Sequence, residues 1–167
     1  MQIRKAIPAD AEPIMQIFRQ AQAGLRIQGV NQWQNGYPNM EIVDADIMSG
    51  NCMVCVINSQ IAASYVLAFE PEETYEHIYS GQWLSEGQYG VIHRMAAADA
   101  YKGRGLGAAM IDWAGQIALA RDVHSIKVDT HRDNIPMQNL LRNNKFQYCG
   151  IIYLTDGQER LAFEKLF

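Results

Sequence analysis

The sequence predicts an α/β fold with a mixed sheet in one domain, and three observations predict it. The chain has 167 residues, enough for one real core and short for two. Runs rich in β-branched residues alternate with amphipathic stretches along its whole length, with hairpin-like pairs at both ends. Between a strand-like and a helix-like segment lies YKGRGLGA, residues 101–108, which carries three glycines at alternate positions with cations between them.

The elements follow in order. Residues 2–7 read as a strand stopped by Pro8, and Asp10 is placed to cap a helix. In that helix Ile14, Ile17, Phe18, Ala21 and Leu25 recur at the spacing of one buried face. The turn-rich 29–40, with Trp33 and Tyr37, precedes a short helix over 41–48. Two strands, 52–57 and 61–69, flank the turn-like Asn58-Ser59-Gln60 and predict a hairpin. A polar and aromatic excursion begins at Pro71. The strand 89–97 then leads into the glycine loop, and Gly105 or Gly107 opens a helix with Leu106, Met110, Trp113, Ile117 and Ala120 on one face. Strand 125–130, helix 135–144 and the strand pair 146–154 and 161–166 complete the chain.

Composition narrows the function. With 49% apolar and 19% charged residues the chain is an ordinary globular protein, and a net charge of -4 leaves no basic stripe for nucleic acid. No signal core and no membrane-length apolar run is seen, so a cytoplasmic protein that binds neither nucleic acid nor membrane is expected. Cys52 and Cys55 read C-x-x-C, but in a strand residues three apart point to opposite faces, and zinc would need further ligands at matching spacing. Together with Cys149 they are expected to be buried thiols, and no metal site is predicted.

The glycine loop is a device for anions. Glycines let backbone N–H groups point outward, a helix N-terminus adds partial positive charge, and Lys102 and Arg104 add full charges. A P-loop is ruled out because no Lys-Ser or Lys-Thr pair follows. A dinucleotide-binding fingerprint fits Gly103-x-Gly105-x-x-Ala108 with Asp129 downstream. Against it, AADAYK separates glycines from strand, and the motif arrives past mid-chain.

Lys102-x-x-Gly105-x-Gly107 resembles the Arg/Gln-x-x-Gly-x-Gly/Ala signature of the GNAT superfamily of N-acetyltransferases, with lysine in the first place. The frame HRMAAADAYKGRGLGAAMIDWA is similar to that family's central strand, connection, loop and helix. VDTHRDNIPMQNLLRNNKFQYCG is similar to the next strand and helix, with Asn134 and Phe146 at the family's asparagine and phenylalanine. The resemblance implies a mostly antiparallel sheet with splayed central strands flanked by helices. It implies acetyl-CoA as cosubstrate, held by Lys102, Gly103, Arg104, Gly105, Leu106, Gly107 and Ala108, by the backbone of Met95, Ala96 and Ala97, and by Asn134 and Leu141.

The chemistry so implied is direct transfer of acetyl to a primary amine. An amine of pKa about 10.4 needs a base or a desolvating site, and a thiol of pKa about 8.5 needs modest help to leave. Counting from Asn134, the tyrosine that serves many members as acid falls at Leu141, which donates nothing. His131, Tyr148, Tyr153 or water remain for that step, and His93 or His131 for the base. Asp129 and Arg94 are expected to pair across adjacent strands. Trp33 and Tyr37, with Gln32 and Pro38, either shape the acceptor pocket or cap the core. Glu70, Glu72, Glu73 and Glu76 either attract a cationic amine or form a solvated face. The acceptor is a small-molecule or peptide amine, and a homodimer is a family-based expectation. A non-catalytic acyl-CoA sensor, motivated by Leu141, and a dinucleotide-binding protein are the alternatives.

Overall fold

The computed structural model describes all 167 residues. Seven strands and four α-helices follow in this order: β1 (Gln2–Lys5), α1 (Ala11–Ile27), α2 (Met40–Met48), β2 (Cys52–Ile57), β3 (Gln60–Ala68), β4 (Gly90–Ala97), α3 (Leu106–Leu119), β5 (Ser125–Thr130), α4 (Ile135–Asn143), β6 (Gln147–Tyr153) and β7 (Glu159–Leu166). Hydrogen-bonding order in the sheet is β1-β2-β3-β4-β5-β7-β6. The chain forms two compact units, Met1–Leu67 with Arg94–Trp113, and Ala68–His93 with Ala114–Phe167.

In the first unit β1, β2 and β3 form an antiparallel meander. Asn58 and Ser59 both adopt left-handed φ, 49° and 62°, making a two-residue turn whose twist suits a hairpin. Gln60 therefore belongs to β3 rather than to the turn. The apolar face of α1 (Ile14, Met15, Ile17, Phe18) packs with Val43 and Ile47 of α2 and with Cys52, Val54 and Val66 of the sheet. Asp10 does not cap α1 with its side chain. Its carboxylate takes two bonds from Arg4, at 2.6 and 3.0 Å, and one from the Ile7 N–H at 2.9 Å, which tightens the turn between β1 and α1.

In the second unit β5, β7 and β6 are antiparallel, whereas β4 runs parallel to β5 through the pairs Gly90↔Ile126 and Val91↔Lys127. Ile92 and His93 lie beyond that short ladder, while β5 remains paired with β7 as far as Thr130. The predicted face of α3 is shifted. Met110, Ile111, Ala114 and Ala118 are buried and Trp113 is exposed. Gly115 is also on the packed side: the Phe167 ring lies on it, where a Cβ would stand 2.1 Å from the ring.

Residues 69–89 form a strap fastened at several points. Tyr75 is buried, and its carbonyl accepts from Trp83 Nε1 at 2.9 Å. Tyr79 pairs with Ile151 of the edge strand β6. The fully buried Glu164 of β7 accepts from the Leu84 N–H and from Ser125 Oγ, both at 2.6 Å, and from Ser85 Oγ. Lys127 of β5, also buried, points its ammonium at the rings of Trp83 and Tyr89, 4.3 and 4.0 Å from their centroids.

Candidate active site

The glycine loop occupies the first unit. A short 3-10 turn, Asp99–Tyr101, leads into it, and Gly103 and Gly105 adopt φ of 75° and 76°. A side chain built on either would meet nothing within 4 Å, so these glycines serve the left-handed path of the chain and not packing. The loop is open above its backbone. Helix α3 begins at Leu106, so the N–H groups of Leu106, Gly107 and Ala108 have no carbonyl one turn back within the helix, while Ala109 N–H already bonds to Gly105. Lys102 pairs with Asp99 at 2.5 Å, and the Arg104 guanidinium stands 5.4 Å from the Tyr101 ring centroid. Leu106 is buried and fixes the helix start.

Upstream, Met95, Ala96 and Ala97 end β4, and the Ala98 N–H bonds to Ala62 of β3. Arg94 interrupts the strand with φ 48°. Its guanidinium holds both carboxylate oxygens of Asp46, at 2.6 and 2.7 Å, and donates to the Tyr37 hydroxyl at 2.6 Å. The expected pair of Arg94 with Asp129 is thus replaced: the bidentate fit to Asp46 takes the guanidinium, and Asp129 finds Tyr75 and Arg160. Trp33 packs edge-on against Phe18, 5.6 Å between centroids, as part of the core of α1. Tyr37 is exposed, and Gln22 holds its carbonyl and that of Pro38.

The second unit carries the titratable groups. His93 Nε2 lies 3.4 Å from Glu72 Oε2, and Thr74 Oγ donates to the other carboxylate oxygen, Oε1, at 3.0 Å. The bond with His93 holds the Glu72 carboxyl below the usual range, against the opposing effect of burial. Tyr89 Oη accepts from the Glu72 N–H at 3.2 Å, fixing the backbone that presents this carboxylate. Nearby, Tyr75 Oη donates to Asp129 Oδ2 at 2.7 Å, with Arg160 Nε 3.9 Å from the other oxygen. Burial raises the Asp129 carboxyl and raises the Tyr75 phenol well above its ordinary value.

His131 is differently placed. Its Nδ1 accepts the Asp133 N–H at 3.1 Å, so the neutral ring carries its proton on Nε2. Burial, followed by Arg160, lowers its pKa. The lone pair that a base needs is engaged, and the ring is held neutral.

Three sequence expectations change. Tyr148 lies on β6, which is separated from β5 by β7, so it stands about 10 Å from β5 and further from His93. Its ring is exposed and leans on Phe163. Tyr153 is on the same strand, against Tyr79. Neither joins the histidine. Leu141 is fully buried in α4, a core residue with no surface left to touch a ligand. Asn134 accepts the Met137 N–H at 3.2 Å and so caps α4. Sequence reading placed Glu72 only in a charge cluster and missed Tyr75 altogether, because partners 21 and 54 residues apart leave no local pattern.

Strand β4, the connection, the glycine loop and α3 follow one another as the resemblance to the GNAT family implies. The sequence model of the acetyltransferase (GNAT) family matches residues 19–146, and the chain belongs to that family. A GNAT family acetyltransferase from Streptococcus agalactiae 2603 superposes with a TM-score of 0.91 at 33% identity, covering 99% of this chain and 95% of that one. The uncharacterized N-acetyltransferase YesJ of Bacillus subtilis is 26% identical over 96% of this chain and 87% of its own length. A ribosomal-protein-alanine N-acetyltransferase from Brucella melitensis shares the fold, with a TM-score of 0.72 at 18% identity and full coverage of both chains. The family's reaction is acyl transfer to an amine.

Proposed function

We propose that this protein is an acetyl-CoA-dependent N-acetyltransferase acting on a primary amine, with His93 as base and Glu72 as its partner. The loop at Gly103 and Gly105 carries the reading: two left-handed glycines with open space above them, flanked by Lys102 and Arg104, at the start of a helix. Anionic oxygens of a pyrophosphate suit the N–H groups of Leu106, Gly107 and Ala108 and the two cations. Met95, Ala96 and Ala97 offer strand backbone to the pantetheine arm, as the family resemblance implies.

His93 precedes Met95 by two residues, at most about 7 Å of chain, so a base on β4 is tethered close to the arm's strand. Glu72 accepts a hydrogen bond from Nε2–H of the neutral ring, which leaves Nδ1 to take a proton from the incoming ammonium. The freed amine nitrogen attacks the thioester carbonyl. A C–N bond forms, the C–S bond breaks, and the sulfur leaves with the electron pair as thiolate. With Leu141 at the usual acid position, Tyr148 and Tyr153 on β6, and His131 held neutral, the thiolate takes its proton from solvent.

The test is acetylation of a panel of small cationic amines and peptides with acetyl-CoA, comparing wild type with His93→Ala and Glu72→Gln. A fall in kcat of about 10²-fold or more for His93→Ala, with KM for acetyl-CoA unchanged, is expected. Turnover by His93→Ala at the wild-type rate excludes the histidine as base. Saturable acetyl-CoA binding with no turnover of any amine supports the sensor reading instead.

A further inference from the structure

Seven non-glycine residues have left-handed φ, and six of them sit in turns, bends or loops. Arg94 is the exception. At φ 48° it stands inside β4, where a side chain at Cβ makes this conformation costly. Such strain persists only when surrounding contacts over-determine it. Here those contacts are visible. Asp46, from α2, binds Nε and Nη2 with both oxygens, and the Tyr37 hydroxyl binds Nη1. Both carboxylate and guanidinium side chains are largely covered, at 13% and 16% exposure, so solvent competes weakly for the pair. The anchors are themselves fixed: Asp46 by the buried Val43 and Ile47 of its helix, Tyr37 by Gln22 of α1 gripping the adjacent carbonyls.

We propose that Asp46, Tyr37 and Arg94 form a positioning clamp that holds β4 in its left-handed step and so sets the direction of the backbone groups of Met95, Ala96 and Ala97. A one-residue change of direction in a strand turns every following N–H and C=O, because these alternate with period two. The three residues after the step are those offered to the pantetheine arm, so the clamp tunes cosubstrate affinity without touching it. This inference rests on the acetyl-CoA reading given above. It also gives Tyr37 a task other than shaping an acceptor pocket, since its hydroxyl is spent on Arg94.

The test exploits glycine, which adopts φ 48° without penalty. Arg94→Ala and Arg94→Gly both remove the ion pair and are expected to lose similar thermal stability. They differ in what replaces the clamp. In the alanine variant the strand relaxes out of the left-handed step, and acetyl-CoA affinity measured by titration calorimetry is expected to fall about tenfold or more as the competent backbone becomes a minority. The glycine variant is expected to stay within about threefold of wild type. Asp46→Asn and Tyr37→Phe are expected to fall between the two. Equal affinities for the alanine and glycine variants overturn the proposal. If wild type itself binds no acetyl-CoA, the acetyl-CoA reading fails, and the clamp is judged by amide chemical shifts of Met95, Ala96 and Ala97. These are expected to remain wild-type-like in Arg94→Gly and to move in Arg94→Ala; equal displacement in both overturns the clamp as well.

Discussion

Replacing Glu164 by alanine should be among the most damaging single changes in this chain, and the structure says why. Its carboxylate is fully buried and accepts three hydrogen bonds, from the Leu84 N–H, Ser85 Oγ and Ser125 Oγ, two of them on the strap. It faces Lys127 as cross-strand partner, and its charge favours the ammonium that burial disfavours. Alanine leaves an N–H and two hydroxyls to find new acceptors and a buried cation without its counter-charge. Removing one partner of a buried charged network costs about 3–5 kcal/mol. With a urea m-value of about 2 kcal/mol/M, that lowers the unfolding midpoint by about 1.5–2.5 M. Lys127→Met, which removes the cation but keeps an apolar stem between Trp83 and Tyr89, should recover part of this in the double variant, because the remaining site then holds no uncompensated charge. Urea unfolding followed by tryptophan fluorescence measures both. A loss below about 1 kcal/mol for Glu164→Ala would refute the network as the fastening of the strap.

Two further outcomes are expected. Burial pushes the Cys52 and Cys149 thiols up from 9.0 to about 11, so the neutral thiol is favoured in the folded state; stability is full below about pH 9 and is lost as pH rises from there towards 11. For Cys52, 2% exposed, the loss reaches about 2–3 kcal/mol, and Cys52→Ala should flatten the alkaline limb of a stability-versus-pH curve. Tyr65 is fully buried with no hydrogen-bond partner for its hydroxyl, so Tyr65→Phe should raise the thermal midpoint by a few degrees, corresponding to about 1 kcal/mol. An unchanged or lower midpoint would mean that the hydroxyl is satisfied.

Most of the fold was legible because its signals are local. Runs rich in β-branched residues marked β2, β3 and β5, apolar spacing marked α1, and the glycines marked the entry to α3 within a residue or two. The shifted face of α3 was not, since Trp113 falls at helical spacing with Leu106 and Met110 and yet is exposed, while Ile111, Ala114 and Ala118 are buried. The same division holds in the site. Gly103, Gly105 and the cations beside them are contiguous, and their geometry follows from residue type. His93 could be singled out as a strand histidine, but its partner Glu72 comes from a strap whose course is set by Tyr89, Lys127 and Glu164, contacts that no spacing announces. The partner of Arg94 escapes sequence reading for a related reason: charge alone allows either Asp46 or Asp129, and Asp46 is 48 residues away on another element.

The most direct test of the account is calorimetric titration of the purified protein with acetyl-CoA, coenzyme A and NADH, beside the Gly105→Trp variant. Gly105 has open space at its Cβ position, so a tryptophan there can be accommodated sterically yet covers the loop's N–H groups, at a backbone strain of about 1–2 kcal/mol from its φ of 76°. Wild type is expected to bind acetyl-CoA and coenzyme A saturably and NADH not at all, and the variant to lose the first two while still unfolding cooperatively. Wild-type affinity in the folded variant, or NADH binding in place of acetyl-CoA, would contradict it.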